Sequence, residues 1–414
     1  MTEMLDRKAL TAQVDRLLLQ QGRLDPLELL LALDLLSYED YQDWRLGRRA
    51  SLQDALSSQP AAIAALLEQA MAYARGQGLK PRPLKHRGWG GHDVVLHIGP
   101  DQALNQACAS ALEPAADRRQ LDLFHDSHEL LLETGIRDAL ARHRLADARD
   151  RLAELMHHNP RHGQLRGYLQ LLQVADEGGQ EDVDEAASAR LEVLDGIEPL
   201  ARDLLGHQAR DFLSALWAEL AQRLARASFD PASPRLHASY AWSRAERWDA
   251  VRAAVEQEPL WRDQPFLLTL HAEAAWRRRD PATARRDWAW MCWEHPHQAE
   301  RLLNSPTFPD QQLQQLWQAF EDLDVDAALG SPPGPADDRG EILETEDFPA
   351  WLLLHDLSSA AAVPPEAAPD DERGAGYRIL HGIISGDDSI ALRRELDDVH
   401  PLLLRLFLAS LSKD

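Results

Sequence analysis

The chain has 414 residues, of which 44% are hydrophobic and 27% are charged, so it can bury a sizeable core and is not an intrinsically disordered chain. Its only cysteines, Cys108 and Cys292, exclude a framework of several disulfides and favour a reducing compartment. The first residues lack the apolar segment of a secretory signal, and no apolar run approaches the roughly 20 residues that cross a bilayer. We therefore expect a cytoplasmic protein without membrane insertion.

The formal net charge of −24 is concentrated in two segments. Residues 176–203 contain ten acidic and two basic residues, and residues 321–372 contain fifteen acidic residues and one basic residue. Acidic composition with proline, glycine and alanine is typical of solvated linkers. We predict an acidic insert near 176–203 and an acidic linker over 326–372. Charge is screened over roughly 8–10 Å at cellular salt, so this charge does not exclude an anionic partner elsewhere on the chain.

Residues 1–80 predict an N-terminal helical module. Within it, Asp25, Pro26 and Glu28 form the pattern of a helix cap, a first-turn proline and a capping-box acid ahead of an apolar run. Residues 81–120 contain several prolines and glycines and the short apolar run VVLHI. This composition predicts an irregular or β-containing connector, with at most one strand or hairpin near 81–100.

Apolar residues recur at helical spacing from residue 121 to 325, apart from the acidic insert. The same spacing returns over 373–414, which predicts two or three closing helices that form a helical cap. The chain is therefore predicted to be all-α, with a helical module, a short connector, a long array of helices, an acidic linker and a cap.

Three segments of this array place a small residue twelve positions before a proline, with apolar residues between them. A small residue at a helix crossing and a proline at the end of the second helix are typical of stacked helix hairpins. The three pairs are Ala148 and Pro160, Ala187 and Pro199, and Ala284 and Pro296. These segments resemble tetratricopeptide repeats, over about residues 128–320. The resemblance implies an α-solenoid whose concave surface binds a peptide or a protein.

A second resemblance concerns the N-terminal part of the chain. The segments YEDYQDWRLGRRASL at 38–52 and ARGQGLKPRP at 74–83 are similar to the N-terminal portion of uncharacterised bacterial proteins. This resemblance implies a bacterial origin, and it implies no activity.

The first candidate interaction patch surrounds the run WRRRD at 276–280. Guanidinium groups beside an indole suit an acidic peptide or a phosphate, although such runs also occur as solvated helix ends. Trp290 lies two residues from both Trp288 and Cys292, so it cannot share the helix face of both, and we expect it to be an exposed binding anchor. The candidate residues of this patch are Arg277, Arg278, Arg279, Arg285, Arg286 and Trp290.

The second candidate patch lies in the predicted connector. Cations and an indole in a glycine-rich loop suit single-stranded nucleic acid or a phosphorylated ligand. Its candidate residues are Arg82, Lys85, Arg87 and Trp89. This patch is the basis of one alternative function, a nucleic-acid-associated factor, which is the less favoured one because the sequence contains no RNA-binding fold motif.

The seventeen histidines raise the question of a metal site. Two sets of candidate ligands are His125, His128 and Glu129 in FHDSHELL at 124–131, and Cys292, His295 and His297 in CWEHPH at 292–297. Neither set has the spacing of a known zinc motif. The dipeptides at 92–93, 125–126 and 355–356 resemble the His-Asp pairs of all-helical histidine-aspartate phosphohydrolases, which implies a metal-dependent hydrolase as a second alternative.

Phosphate-binding loops, nucleophile elbows and CxxC pairs are absent from the sequence. The sequence therefore favours a non-catalytic scaffold or adaptor, without cofactor or metal, that binds another protein or peptide through a helical-repeat surface.

Overall fold

A computed structural model describes residues 7–21, 23–86, 88, 97–114, 125–177, 185–323, 343–356, 362–386 and 389–411. Within these residues the chain is mostly α-helical and contains one two-stranded sheet, which confirms the predicted all-α class with a short β connector. The chain divides into two compact units. Unit 1 comprises Met1–Arg226 and Arg244–Arg247, and unit 2 comprises Ala227–Ser243 and Trp248–Asp414.

Unit 1 contains ten of the described α-helices and both described strands. They are α1 Arg7–Gln21, α2 Pro26–Ala32, α3 Tyr38–Arg45, α4 Pro60–Gly76, β1 Leu79–Pro83, α5 Gln102–Ala107, β2 Ser110–Pro114, α6 His125–Ala141, α7 Leu145–His158, α8 Leu165–Asp176, α9 Glu185–Leu205 and α10 Ala209–Leu224.

The start of α2 follows the predicted cap and first-turn proline. The Asp25 carboxylate accepts a hydrogen bond from the backbone N–H of Leu27 at 3.0 Å, and Pro26 is the first residue of α2. The Ser37 hydroxyl caps α3 by accepting from the N–H of Asp40 at 3.1 Å. Apolar residues of α1 to α4 then form one core, in which Trp44 is fully buried.

The sheet is formed by the start of the predicted connector, in β1, and by a later part of it, in β2. Strand β1 pairs antiparallel with β2, with Pro81 opposite Leu112, and Leu112 also bridges to Leu24. Of the run VVLHI, residues 94–96 lie outside the described residues, and the remainder forms no strand. The sequence LKPRP does not indicate a strand, because proline cannot donate a hydrogen bond to a neighbouring strand. Strands that contain proline are tolerated only at the edge of a sheet.

From α6 to α10 each helix packs against the next one along the chain. Ala148 is buried in α7, which packs on α6, and Pro160 follows the end of α7, as predicted for a helix hairpin. Pro199 behaves differently, because it lies inside α9 instead of ending a helix. The predicted insert near 176–203 is therefore helical from residue 185 onward, where apolar residues recur between the acidic ones and are buried.

Unit 2 contains the remaining described helices. They are α11 Ala238–Arg244, whose last residue belongs to unit 1, α12 Trp248–Glu256, α13 Pro265–Arg277, α14 Pro281–Glu294, α15 Pro296–Leu303, α16 Gln311–Glu321, α17 Phe348–His355, α18 Glu372–Ile384, α19 Ile390–Val399 and α20 Pro401–Leu411.

Helices α12 to α15 also pack in chain order, and so do α18 to α20. Ala272 and Ala284 are fully buried where α13 meets α14, and Pro296 begins α15 directly after α14 ends. Consecutive packing of this kind is compatible with a helical repeat. None of the described helices is long and apolar enough to cross a membrane.

The predicted linker over 326–372 contains a folded segment. Helix α17 buries Phe348 and Trp351 in the core that α14 and α16 also form, so a solvated linker does not describe this part. The short segment FPAWLLLH is apolar, but the acidic and proline-rich residues on either side of it dominate the composition. Residues 324–342 and 357–361 of the predicted linker lie outside the described residues.

Candidate binding cleft of unit 2

Two arginines of the predicted WRRRD patch are paired within unit 2. The guanidinium of Arg277 lies 3.6 Å from the Glu273 carboxylate and 5.6 Å from the ring centre of Trp248. The Nε of Arg278 lies 2.9 Å from the carboxylate of Asp249. These pairs reduce the positive charge that the sequence run suggests, so they do not form an open anion site.

The other three arginines occupy separate positions. Arg279 adopts a left-handed backbone conformation, with φ of 62°, in the turn between α13 and α14. Arg285 lies 2.9 Å from the carboxylate of Asp310 at a largely buried contact. Arg286 points to a different side of α14, where it lines an open cleft. The structure therefore separates the predicted patch and leaves one of its arginines at a candidate site.

This cleft has a volume of about 360 Å³, which lies within the range of small-ligand sites. It is formed by α14, by the 3₁₀ turn Trp261–Asp263 and by the 3₁₀ turn Pro365–Ala367. The principal lining residues are Arg262, Arg286, Asp287, Trp290, Pro364 and Glu366.

Helix α14 supplies three of these residues from one face. Its start is fixed by Asp280, whose carboxylate accepts from the N–H of Thr283 at 3.1 Å. Arg286 and Trp290 are four residues apart, and Asp287 and Trp290 are three apart, so their side chains are neighbours along the helix. The opposite wall is held by His295, whose Nε2 lies 3.3 Å from the carbonyl oxygen of Arg262.

Trp290 was predicted to be exposed, whereas its side chain is half-buried. The ring packs against apolar residues of the core and at the same time lines the cleft. Trp288 and Cys292, which flank it, are buried as their apolar spacing indicates. The spacing therefore correctly separates Trp290 from its two buried neighbours, and Trp290 lines the cleft.

A buried ionisable network stands behind the cleft. His271 of α13 is almost fully buried, and its Nδ1 lies 2.5 Å from a carboxylate oxygen of Asp287. Its Nε2 lies 3.1 Å from the carboxylate of Glu256, at the end of α12. The ring of Trp261 covers the imidazole at a centroid distance of 4.3 Å. The network thus joins α12, α13 and α14 and fixes the position of Asp287.

The sequence did not reveal this network or the role of Arg262. His271 and Asp287 are sixteen residues apart on different helices, so only the hairpin geometry brings them together. In the sequence, a single histidine in the apolar segment LHAEAAW is typical of a core residue. The one available signal is the helix-hairpin pattern itself, which places residues of α13 opposite residues of α14.

Three polar atoms of the α14 face have no hydrogen-bond partner among the described residues. They are the Nε of Arg286, the second carboxylate oxygen of Asp287 and the indole nitrogen Nε1 of Trp290. An unpaired polar atom away from water costs about 1–3 kcal/mol. These two donors and one acceptor lie within one helical turn of α14, and solvent does not reach them.

The second predicted patch lies along β1 in unit 1. Arg82 is 74% exposed and pairs with Glu113 at 2.9 Å, and Lys85 is exposed. Arg87 and Trp89 lie outside the described residues. The described part of this patch therefore brings no aromatic residue together with the cations, and a nucleic-acid site there stays a prediction.

The predicted metal ligands of the segment CWEHPH do not converge. Burial raises the pKa of the Cys292 thiol, whereas His297 is 91% exposed on α15. His128, from the other segment, lies 3.4 Å from Glu154, and its ring centre lies 5.1 Å from that of His158. In the part of the chain that the structure describes, no group of three or more His, Cys, Asp and Glu residues is arranged to hold a metal ion.

No family model, curated protein or solved structure matches the chain. The helical packing described above is therefore the only structural observation that bears on the resemblance to tetratricopeptide repeats.

Proposed function

We propose that the protein is a non-catalytic scaffold that binds an acidic peptide segment of a partner protein in the cleft of unit 2. The observation that carries this proposal is the meeting of Arg262, Arg286 and Trp290 at one open cleft. Two guanidinium groups attract carboxylates, and an indole supplies contact area together with a hydrogen-bond donor. Arginine and tryptophan are also the residues that most often dominate binding free energy at protein interfaces.

The preformed shape of the cleft supports the same proposal. The cap at Asp280 and the network of Glu256, His271 and Asp287 hold α14 against α12 and α13. A rigid wall loses little conformational entropy when a ligand binds, so more of the contact free energy appears as affinity. Consecutive packing of helix hairpins is the architecture from which repeat proteins build such rigid surfaces.

A random peptide library tests the proposal directly. The full chain is immobilised, and bound peptides are selected and sequenced for the wild-type protein and for Arg286→Glu. The matched control is Arg301→Glu, the same substitution at an exposed position of α15 that does not line the cleft. We expect peptides enriched in Asp and Glu on the wild type and the control, and their loss on Arg286→Glu.

Two results would refute the proposal. One is the absence of any enriched peptide on the wild-type protein. The other is recovery of the same acidic peptides by Arg286→Glu, because they would then bind at another surface.

A further inference from the structure

We infer that the α6–α7 hairpin of unit 1 binds a Zn²⁺ ion through two imidazoles and two carboxylates. The four ligand residues are His128, Glu129, Glu154 and His158. This inference concerns unit 1 and does not depend on the function proposed for the cleft of unit 2. It departs from the sequence-based expectation of a protein without a metal, because two of the ligands lie on α7, outside the segment FHDSHELL.

The hairpin places these four side chains at the start of α6 and the end of α7. Helices α6 and α7 pack against each other, and Leu132 of α6 is buried. His128 and Glu129 precede Leu132 by four and three residues, so they lie on the same side of α6 as this buried residue. Glu154 and His158 are four residues apart, so they are neighbours along α7. Two histidines and two glutamates therefore meet where the two helices are in contact.

Contacts between these side chains cross from one helix to the other. The Nε2 of His128 lies 3.4 Å from a carboxylate oxygen of Glu154, and the Nε2 of His158 lies 3.9 Å from one of Glu129. The two imidazoles also pack edge to face, with ring centres 5.1 Å apart. Each histidine thus lies beside a carboxylate of the opposite helix and beside the other histidine.

These separations are long for hydrogen bonds and close to those between ligands of one zinc ion. A hydrogen bond between nitrogen and oxygen is about 2.7–3.2 Å long. The next histidine along the chain makes a short contact of that kind, because the Nε2 of His162 lies 2.6 Å from the Glu133 carboxylate. Ligand atoms about 2.1 Å from a tetrahedral zinc ion are about 3.4 Å apart, and the ring centres of two imidazoles on that ion are roughly 5 Å apart. The cross-helix distances therefore fit a shared metal ion better than two hydrogen bonds.

The chemistry of the four groups selects the kind of ion. Zinc is bound in proteins by imidazole nitrogen and carboxylate oxygen, and four protein ligands complete a tetrahedral site. Mg²⁺ and Ca²⁺ prefer oxygen ligands, so the two imidazoles disfavour them. The two carboxylates offset the double charge of the ion. Because all four positions are taken by side chains, the site holds a structural ion and leaves no position for a substrate.

The side chains have to rotate before they bind one ion together. Among the described residues, no three groups of ligand type converge on one point as they stand. The side chains of His128 and Glu154 are 46% and 57% exposed, and those of the other two ligands are half-buried. Exposed side chains change rotamer within nanoseconds, so this rotation requires no movement of the helices. Zinc then replaces two weak contacts across the hairpin with four metal–ligand bonds.

An ion bound in this way links α6 to α7. The four ligands come together only when the hairpin is folded, so the ion binds the folded chain in preference to the unfolded one. Binding of this kind stabilises the folded state in proportion to the logarithm of the free ion concentration. The stability of unit 1 should therefore depend on Zn²⁺.

The experiment measures binding of Zn²⁺ to the full-length protein after metal has been removed with a chelator. A chromophoric chelator competes for the ion, and its absorbance gives the affinity and the stoichiometry. The variants are His128→Gln, His158→Gln and Glu154→Gln. The matched control is His157→Gln, the same change at an exposed neighbour on α7 that is not one of the four ligands. Mg²⁺ is the comparison ion, and circular dichroism checks that each variant keeps its helices.

We expect the wild type and His157→Gln to bind one equivalent of Zn²⁺ with equal affinity. Loss of a partner outside the ligand shell already weakens metal binding about tenfold or more, so each ligand variant should bind at least about tenfold more weakly. X-ray absorption at the zinc edge should show two imidazoles on the ion in the wild type and one in His128→Gln. Zn²⁺ should raise the unfolding temperature of the wild type more than that of His128→Gln.

Four results would overturn the inference. The first is the absence of stoichiometric Zn²⁺ binding by the wild type. The second is unchanged affinity in His128→Gln and His158→Gln, because the ion would then bind elsewhere on the chain. The third is an equal loss in His157→Gln, which would mean an adventitious ion only. The fourth is binding of Mg²⁺ as tight as that of Zn²⁺, which would exclude the imidazoles as ligands.

Discussion

Burying the carboxyl group of Asp287 costs solvation free energy that its hydrogen bond with His271 has to offset. Its contact with His271 at 2.5 Å places two ionisable groups in the interior, and Glu256 extends the network to the surface, where its side chain is 51% exposed. Removing one partner of a buried pair leaves the other without compensation, which is more costly than the pair itself is stabilising. Substitution of Asp287 should therefore lower the free energy of unfolding much more than substitution of Glu256.

We predict that Asp287→Asn lowers the free energy of unfolding by about 3 kcal/mol, because the buried hydrogen-bonded pair of Asp287 and His271 loses one member. Glu256→Gln, at the exposed end, should cost under about 1 kcal/mol. Urea unfolding followed by tryptophan fluorescence measures both, since unit 2 contains most of the tryptophans. Equal losses for the two variants would contradict the assigned roles.

The candidate site was only partly predictable from single residues. Arg286 and Trp290 were identified because charge and helical spacing are visible in the sequence. Arg262 and His271 were missed because their role depends on which helices and turns meet, and that is decided by tertiary packing. The paired arginines, Arg277 and Arg278, were overestimated because their carboxylate partners lie on other turns or helices.

Among the elements of unit 1, α3 packs on α10 through polar contacts. The Tyr38 hydroxyl donates to the Asp211 carboxylate at 2.5 Å, and the Gln42 amide donates to the Ser214 hydroxyl at 3.2 Å. The guanidinium of Arg210 lies 4.0 Å from the ring centre of Tyr38. These contacts give the segment YEDYQDW a structural role, which requires no ligand.

This interface also contains carboxyl groups with raised pKa values. Burial raises the pKa of Glu28, on α2, from 4.5 to about 7, and the nearby carboxylate of Asp25 adds to the shift. Burial likewise raises the pKa of Asp211 from 3.8 to about 6. The folded chain therefore holds these protons to higher pH than the unfolded chain does. It follows that stability falls as pH rises from about 4 to 7.

We predict that Glu28→Gln removes part of this loss. The variant should be about 2 kcal/mol more stable than the wild type at pH 8 and nearly equal to it at pH 4.5, where the glutamate is protonated in the folded state. Denaturant unfolding at the two pH values measures the difference. A stabilisation that does not change with pH would show that ionisation of Glu28 is not the cause.

Helix α9 contains a proline, Pro199, in its interior. Pro199 has no N–H to donate to the preceding turn, and its ring crowds the backbone there. We predict that Pro199→Ala raises the free energy of unfolding by about 2 kcal/mol. Pro160→Ala is the matched control, because Pro160 lies beyond the end of α7 and should change little. A Pro199→Ala variant no more stable than this control would contradict the prediction.

Elements with local start signals were predictable, and those without them were not. The cap at Asp25 marks a helix start in the sequence, and the structure places α2 there. A β-containing connector was predicted, but the exact position of β1 was not, because LKPRP has the composition of a loop. Helix α17 and much of α9 were assigned to linkers because average composition over a long window hides a short buried face.

At the scale of the whole molecule, the net charge of −24 repels an acidic ligand. The arginines of the cleft attract such a ligand only over a short distance. Charges farther away than roughly 8–10 Å are screened at cellular salt, so the arginines at the cleft determine the contact free energy. The described lining of the cleft contains the carboxyl groups of Asp287 and Glu366 as well as the two arginines. Under the proposed function, selectivity for acidic segments should depend on Arg262 and Arg286.

A charge exchange between the cleft and its ligand tests this account most directly. A library-selected peptide with one essential glutamate is compared with its Glu→Lys form, by calorimetry, on the wild-type protein and on Arg286→Glu. We predict that the wild type prefers the glutamate peptide by at least about tenfold, and that Arg286→Glu reverses the preference. If Arg286→Glu binds the glutamate peptide as tightly as the wild type does, the cleft is not the binding site and the account is wrong.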